Sequence, residues 1–160
     1  MSLLIIQFIV FVLYVGSITT VYGVLPSISD SWYSLPQRYK PLFTFFTWGI
    51  GIPMFFYGSG AMFLSGIGLV FVGTATQFRM TEAYTKYIHF AGAALGIILP
   101  LLDLVIVFGV WIPIIIQSIG TLLIVQSKVS NKLWWVEVLA FISIMIGIYL
   151  NIDSFNYVGN

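Results

Sequence analysis

The groups in this chain that could move a proton are few, and their spacing decides what they could do together. There is one histidine, His89, and five acidic residues, of which Asp30, Asp103 and Glu137 stand in or beside long apolar stretches. In hydrocarbon a polar side chain must be hydrogen-bonded, be paired or line water, so these positions are the informative ones. Read as a helix, the steps from His89 to Gly92, Gly96 and Asp103 fall within about 60° of arc at about 100° per residue. One face then carries a base, two glycines and, about four turns away, an acid. The preceding apolar stretch carries Gly66, Gly73 and Gln77 on one face of its own. Glycines let helix backbones approach closely in lipid. These two faces are expected to pack together, bringing Gln77 near His89.

Glu137 is expected at the same depth as His89, either touching it or reaching Lys128 or Lys132 at the interface. The candidate polar cluster is therefore Asp30, Gln77, His89 and Glu137. A second set, Gln7, Asp103 and Gln117, is expected toward the opposite surface. For Asp103 a hydrogen-bonded structural carboxyl is the preferred reading, and a proton or ligand site is the alternative. No nucleophile elbow, H-E-x-x-H motif, Gly-rich phosphate loop or arginine run accompanies these residues. Cysteine is absent and histidine is single, so neither a metal centre nor a cofactor is expected.

The elements that must position these residues follow from composition. Of 160 residues, 60% are hydrophobic and 7% charged, and mean hydropathy is +1.07. A soluble domain has about 25% charged residues, so these apolar side chains must face lipid or one another. A helix crosses the roughly 30 Å hydrocarbon core in about 20 residues, and six spans would use about 120. The expected fold is an all-α, polytopic bundle of six transmembrane helices forming a single domain over 1–160. The spans are placed at Leu3 to Gly23, Pro41 to Tyr57 with a kink at Pro53, Ala61 to Phe78, Ile88 to Phe108, Pro113 to Ser127, and Leu133 to Asn151. Polar segments separate them: Val24 to Lys40, a charged loop Arg79 to Tyr87, and a basic loop Lys128 to Lys132. The first span has no basic n-region or small-residue cleavage site and is read as retained.

All six basic residues, Arg38, Lys40, Arg79, Lys86, Lys128 and Lys132, fall in three alternate connections. Basic loops stay cytoplasmic. The threading that results is multi-pass in a cell membrane, with the basic loops inside and both termini on the non-cytoplasmic side. Trp32, Tyr33, Tyr39, Tyr84, Tyr87, Trp134 and Trp135 are expected as interface rings on the basic side. A net charge of +1 offers no basic stripe for nucleic acid.

Three stretches carry a resemblance. Pro26-Ser27-Ile28-Ser29-Asp30 follows the first span, Gly66 to Phe78 form a glycine-rich third span, and His89-Phe90-Ala91-Gly92-Ala93 open the fourth. Together they resemble the FRAG/DRAM/SFK group of six-span membrane proteins. The loop and the run Trp135 to Phe141 also resemble small uncharacterised bacterial and phage membrane proteins. The resemblance implies a six-helix membrane protein linked to lipid organisation, without one shared chemistry. The chain departs from that group in its Gln77-Phe78 order, in a shorter first loop, and in charges that place this loop inside.

The function expected is non-enzymatic: an integral membrane protein engaging lipid or partner membrane proteins through its grooves and its Asp30 loop. Two alternatives stand beside it, an intramembrane acid–base enzyme or proton-coupled carrier using His89, Glu137, Asp30 or Asp103, and a phage-type membrane or virion component. Partners expected are membrane lipids, with other membrane proteins or a second copy as further options.

Overall fold

Runs of Leu, Ile, Val and Phe without period-two alternation close their backbone hydrogen bonds locally, and each long run is helical in the computed structural model. The structure describes residues 2–75 and 82–151, with backbone alone at 75, 82–86 and 88–90. The described residues are all-α: α1 (Ser2–Tyr22), α2 (Ser31–Ser34), α3 (Pro41–Met54), α4 (Gly60–Ala75), α5 (Glu82–Ile106), α6 (Ile112–Gln126) and α7 (Lys132–Leu150), with a 3₁₀ turn at Gln37–Tyr39.

Local chemistry sets the ends. Pro41 opens α3, where a missing N–H costs nothing. Pro53 lies inside this helix, one residue before its end. The Phe55 and Phe56 N–H groups bond back to the Ile52 and Pro53 carbonyls as a tightened last turn, and α3 stops at Met54. Helix α5 begins at Glu82, well before the expected start at Ile88. Glu, Ala and Lys are strong helix formers, so a charged segment read as loop continues the helix instead. The polar connector between α1 and α3 also holds structure that was not expected, α2 and the 3₁₀ turn.

The six long helices alternate in direction. Helices α1 and α3 pair Gln7 with Ile50 and Tyr14 with Phe46. Helices α3 and α4 pair Thr44 with Gly73 and Gly51 with Gly66, and Gly68 of α4 meets Gly92 of α5. Helices α1, α3, α4, α5 and α7 close a ring, and α6 packs outside it on α7 and α5. One end of the bundle, here the basic end, holds the end of α1, the connector and the start of α7. The opposite end holds the α3–α4 and α5–α6 turns.

An aromatic ladder fills the ring. Tyr14 stacks on Phe46 with centroids 4.4 Å apart, and Phe141 meets both Phe11 and Phe46 at 5.7 Å, so α1, α3 and α7 share one cluster. The glycines set the closest approaches. A Cβ at Gly68 would lie 2.8 Å from the Gly92 carbonyl oxygen, and one at Gly92 2.8 Å from that of Gly68. The expected α4–α5 seam therefore runs through Gly68. Gly66 and Gly73 face α3 instead, against Gly51 and Thr47, because they stand on a different arc of α4.

The outer surface carries many large apolar side chains. Ile5, Phe8, Leu13, Phe45, Phe71 and Leu123 all point outward. Two helices, α1 and α7, are long and apolar enough to cross a membrane, with mean hydropathy 2.3 and 2.0. The apolar stretches Gly60–Thr74, Ala91–Ile106 and Ile112–Gln126 are shorter.

Candidate functional site

At the basic end the connector folds into a polar knot on top of the ring. Its first turn is built by local side-chain bonds: the Asp30 N–H donates to Ser27 Oγ at 3.1 Å, and Ser27 Oγ donates to Asp30 Oδ2 at 2.8 Å. Such Ser/Asp turns compete with helix by satisfying the backbone from the side. Ser31 Oγ donates to the Ile28 carbonyl at 2.5 Å. With that hydrogen committed, the 2.6 Å contact between Tyr14 and Ser31 must run from the tyrosine hydroxyl to Ser31 Oγ. Tyr14 thereby fastens the connector to α1.

Two residues of the α6–α7 region fasten it from the other side. Glu137 Oε2 accepts the Ile28 N–H at 2.6 Å. Asn131 donates from Nδ2 to the Val24 carbonyl at 2.5 Å. Asn131 holds φ 54°, a left-handed conformation that asparagine tolerates better than most residues, and this turns its amide away from capping α7. Asp30 and Glu137 thus converge on one five-residue segment. The expected reach of Glu137 toward Lys132 is not what forms, since Lys132 Nζ donates to the Val125 carbonyl. Gln77 and the side chain of His89 lie outside the described residues, and so do the expected Gln77–His89 and His89–Glu137 approaches.

The opposite end has its own polar pairings. Gln7 Nε2 donates to the Ile50 carbonyl at 2.7 Å, in the turn of α3 that Pro53 interrupts, and the Tyr57 hydroxyl donates to Gln7 Oε1 at 2.7 Å. Burial pushes the Tyr57 hydroxyl above its ordinary range, so it stays a donor. Asp103 is 3% exposed, with the Ser59 hydroxyl beside its carboxyl and Oδ2 without a hydrogen-bond partner. Gln117 donates to Thr121 Oγ1 at 3.1 Å, leaving its own carbonyl unpaired, and Ser143 Oγ and Asn151 Nδ2 are likewise buried without partners.

Between the two ends, Gln7, Ile50, Leu69, Gly96, Phe141 and Ile144 line an internal void of about 10 Å³, no more than one water needs. Among the described residues no group of three or more His, Cys, Asp or Glu could hold a metal ion. At the basic end Glu137, Asn131 and Ser31 spend their polar groups on the protein's own backbone, which is how a clamp is built.

Sequence reasoning missed Tyr14, Ser27, Ser31, Asn131 and Tyr57. The available signal was uneven: Tyr14 and Tyr57 are hydrogen-bonding groups in or beside apolar runs, whereas Ser27 and Ser31 flank Asp30 and Asn131 lies in a polar loop. The interface rings divide. Tyr33 is 68% exposed and Trp135 is exposed as expected, whereas Trp134 is 1% exposed and belongs to the core. Lys40 Nζ stands 3.8 Å from the Trp32 ring centroid, and the Arg38 guanidinium carbon 4.6 Å from that of Tyr39.

No protein-family model, curated protein or solved structure matches this chain.

Proposed function

We propose that this chain is a six-span integral membrane protein of a cell membrane that engages lipid or partner membrane proteins without carrying out chemistry. The observation that carries the reading is the combination of six alternating helices with an outward apolar surface and basic residues at one end. The described cations Arg38, Lys40, Lys128 and Lys132 all stand at the basic end, which is the cytoplasmic one in this reading. Both termini then lie on the other side. The connector's Pro26 to Asp30 segment, which resembles that of the FRAG/DRAM/SFK group, is where a partner would be met. The non-enzymatic part rests on the use made of Asp30 and Glu137, whose hydrogen bonds hold the connector's own backbone and side chains.

The test is cysteine accessibility, which the absence of native cysteine makes direct. Arg38→Cys and Lys132→Cys should label from the cytoplasmic side, and Ser59→Cys and Val110→Cys from the other. Arg38→Cys and Lys132→Cys labelling from opposite faces would end the reading.

A second reading, the proton-coupled carrier, is favoured by one observation, the partnerless Oδ2 of buried Asp103. In that reading Asp103→Asn abolishes proton-coupled uptake into vesicles, and in the first it changes no flux above that of protein-free vesicles.

A further inference from the structure

We infer that Arg38 and Lys40 form a discrete site for the phosphate of an anionic phospholipid, an inference that deepens the membrane reading and rests on it. Each cation lies over an aromatic face, Lys40 on Trp32 and Arg38 on Tyr39. A ring holds a cation through its quadrupole and consumes none of its N–H donors. Both side chains therefore keep hydrogens for an outside acceptor. Neither has a carboxylate partner among the described residues. The acid of their own connector, Asp30, accepts from Ser27, and Glu137 accepts from Ile28.

Their place along the chain fixes the depth. Pro41 follows Lys40 directly and opens apolar α3, so the pair sits where hydrocarbon gives way to headgroups. Tyr33 and Tyr39, both exposed, mark the same level, as amphipathic rings do. The partner that meets two uncompensated cations there is a phosphodiester oxygen. A zwitterionic lipid offsets its phosphate with its own ammonium, so the lipid that fits carries net negative charge. Lys128 and Lys132 are at the same end, but Lys132 spends its ammonium on the Val125 carbonyl, and no aromatic ring is found beneath either among the described residues. They supply field rather than a site.

The experiment places the full chain in nanodiscs of phosphatidylcholine with a minor fraction of phosphatidylglycerol. Lipid retained on the ejected protein is then read by native mass spectrometry. Wild type should retain phosphatidylglycerol beyond its share of the disc. Arg38→Gln with Lys40→Gln should reduce that retention by about fivefold per charge, about 25-fold for the pair. Lys128→Gln with Lys132→Gln, an equal change of charge, should leave most of it. Equal loss in the two double variants would overturn the site in favour of diffuse attraction, and so would a wild type that retains no excess. The exchange Arg38→Lys with Lys40→Arg keeps both charges and should keep retention, which separates lost binding from lost folding. Resistance of the wild type to alkaline extraction from membranes is scored alongside. An integrated chain without anionic preference defeats this inference alone, and a chain that fails to integrate defeats the membrane reading with it.

Discussion

Glu137 is one of the residues that hold the connector. Its carboxylate is the partner of the Ile28 N–H, and Ile28 is itself 3% exposed. Removing the acceptor leaves a buried donor unpaired, at a cost of about 1–3 kcal/mol. Glu137→Ala should therefore lower the melting temperature in detergent and loosen the connector, whereas Glu137→Gln retains a carbonyl acceptor and should cost less. The loosening has a local readout. Lys40 precedes Pro41 and resists trypsin, so Arg38–Tyr39 is the bond to watch, and its cleavage should accelerate in the alanine variant only. Equal cleavage in wild type and Glu137→Ala would show that the bond is not what holds the strap. Tyr14 belongs to the same clamp. A double-mutant cycle between Tyr14→Phe and Ser31→Ala should give a coupling of about 1 kcal/mol, and independence of the two would remove the hydroxyl contact from the account. Sequence reasoning found Glu137 because charge in an apolar run stands out, and Asp30 through the Pro26 to Asp30 stretch that carries the resemblance. It missed Tyr14 and Ser31 because a tyrosine or serine within a hydrophobic helix has several ways to be satisfied, and only the fold chooses among them.

At the scale of the element, the α4–α5 pair rests on two glycines set backbone to backbone. A side chain at Gly68 or Gly92 meets a carbonyl oxygen at 2.8 Å, and backbone cannot swing aside as a side chain can. Overpacking of this kind costs about 1–3 kcal/mol and rises with size, so Gly92→Leu should destabilise strongly and Gly92→Ala less. Gly16 in α1 is the internal control: nothing lies within 4 Å of a Cβ there, so Gly16→Ala should leave the melting temperature unchanged or raise it slightly, as alanine does in a helix. A Gly92→Leu variant melting with wild type would refute the close approach. Here the sequence was half legible. The spacing of Gly92 and Gly96 marked the right face of α5, but α4 carries Gly60, Gly66, Gly68 and Gly73, and a glycine-rich helix offers several faces. Which one meets α5 is decided by α3, whose Thr44, Thr47 and Gly51 take the arc of Gly66 and Gly73. The start of α5 departs from the sequence expectation because charge does not by itself mean loop: Glu82 and Lys86 are good helix formers at a helix end.

At the scale of the molecule, the all-α class and the order of long helices were legible, because length and continuous hydrophobicity speak for themselves. The helices are unequal, as the expected spans were, and α3 ends earlier still than its expected end at Tyr57. Helix α1, with 21 residues, is about 31 Å long, whereas α3, with 14, is about 21 Å, and α6, with 15, about 22 Å at a rise of about 1.5 Å per residue. A hydrocarbon layer of about 30 Å matches the first and overreaches the others. Pro41 and Pro53 stand near the two ends of α3, and Gly109 and Pro113 at the start of α6. These residues resist lengthening of α3 at either end and of α6 at its start. On the proposed six-span reading the bilayer thins around them, or their turns sink into it, at a cost of fractions of a kcal/mol per Å of mismatch, and the protein should be more stable in thin membranes. Reconstituted into phosphatidylcholine vesicles of increasing acyl-chain length, the chain should show a melting temperature that falls as the chains grow beyond the span of α3 and α6. A flat dependence, or a maximum in the thickest bilayer, would mean that the short helices do not face lipid along their length, and that α1 and α7 alone cross.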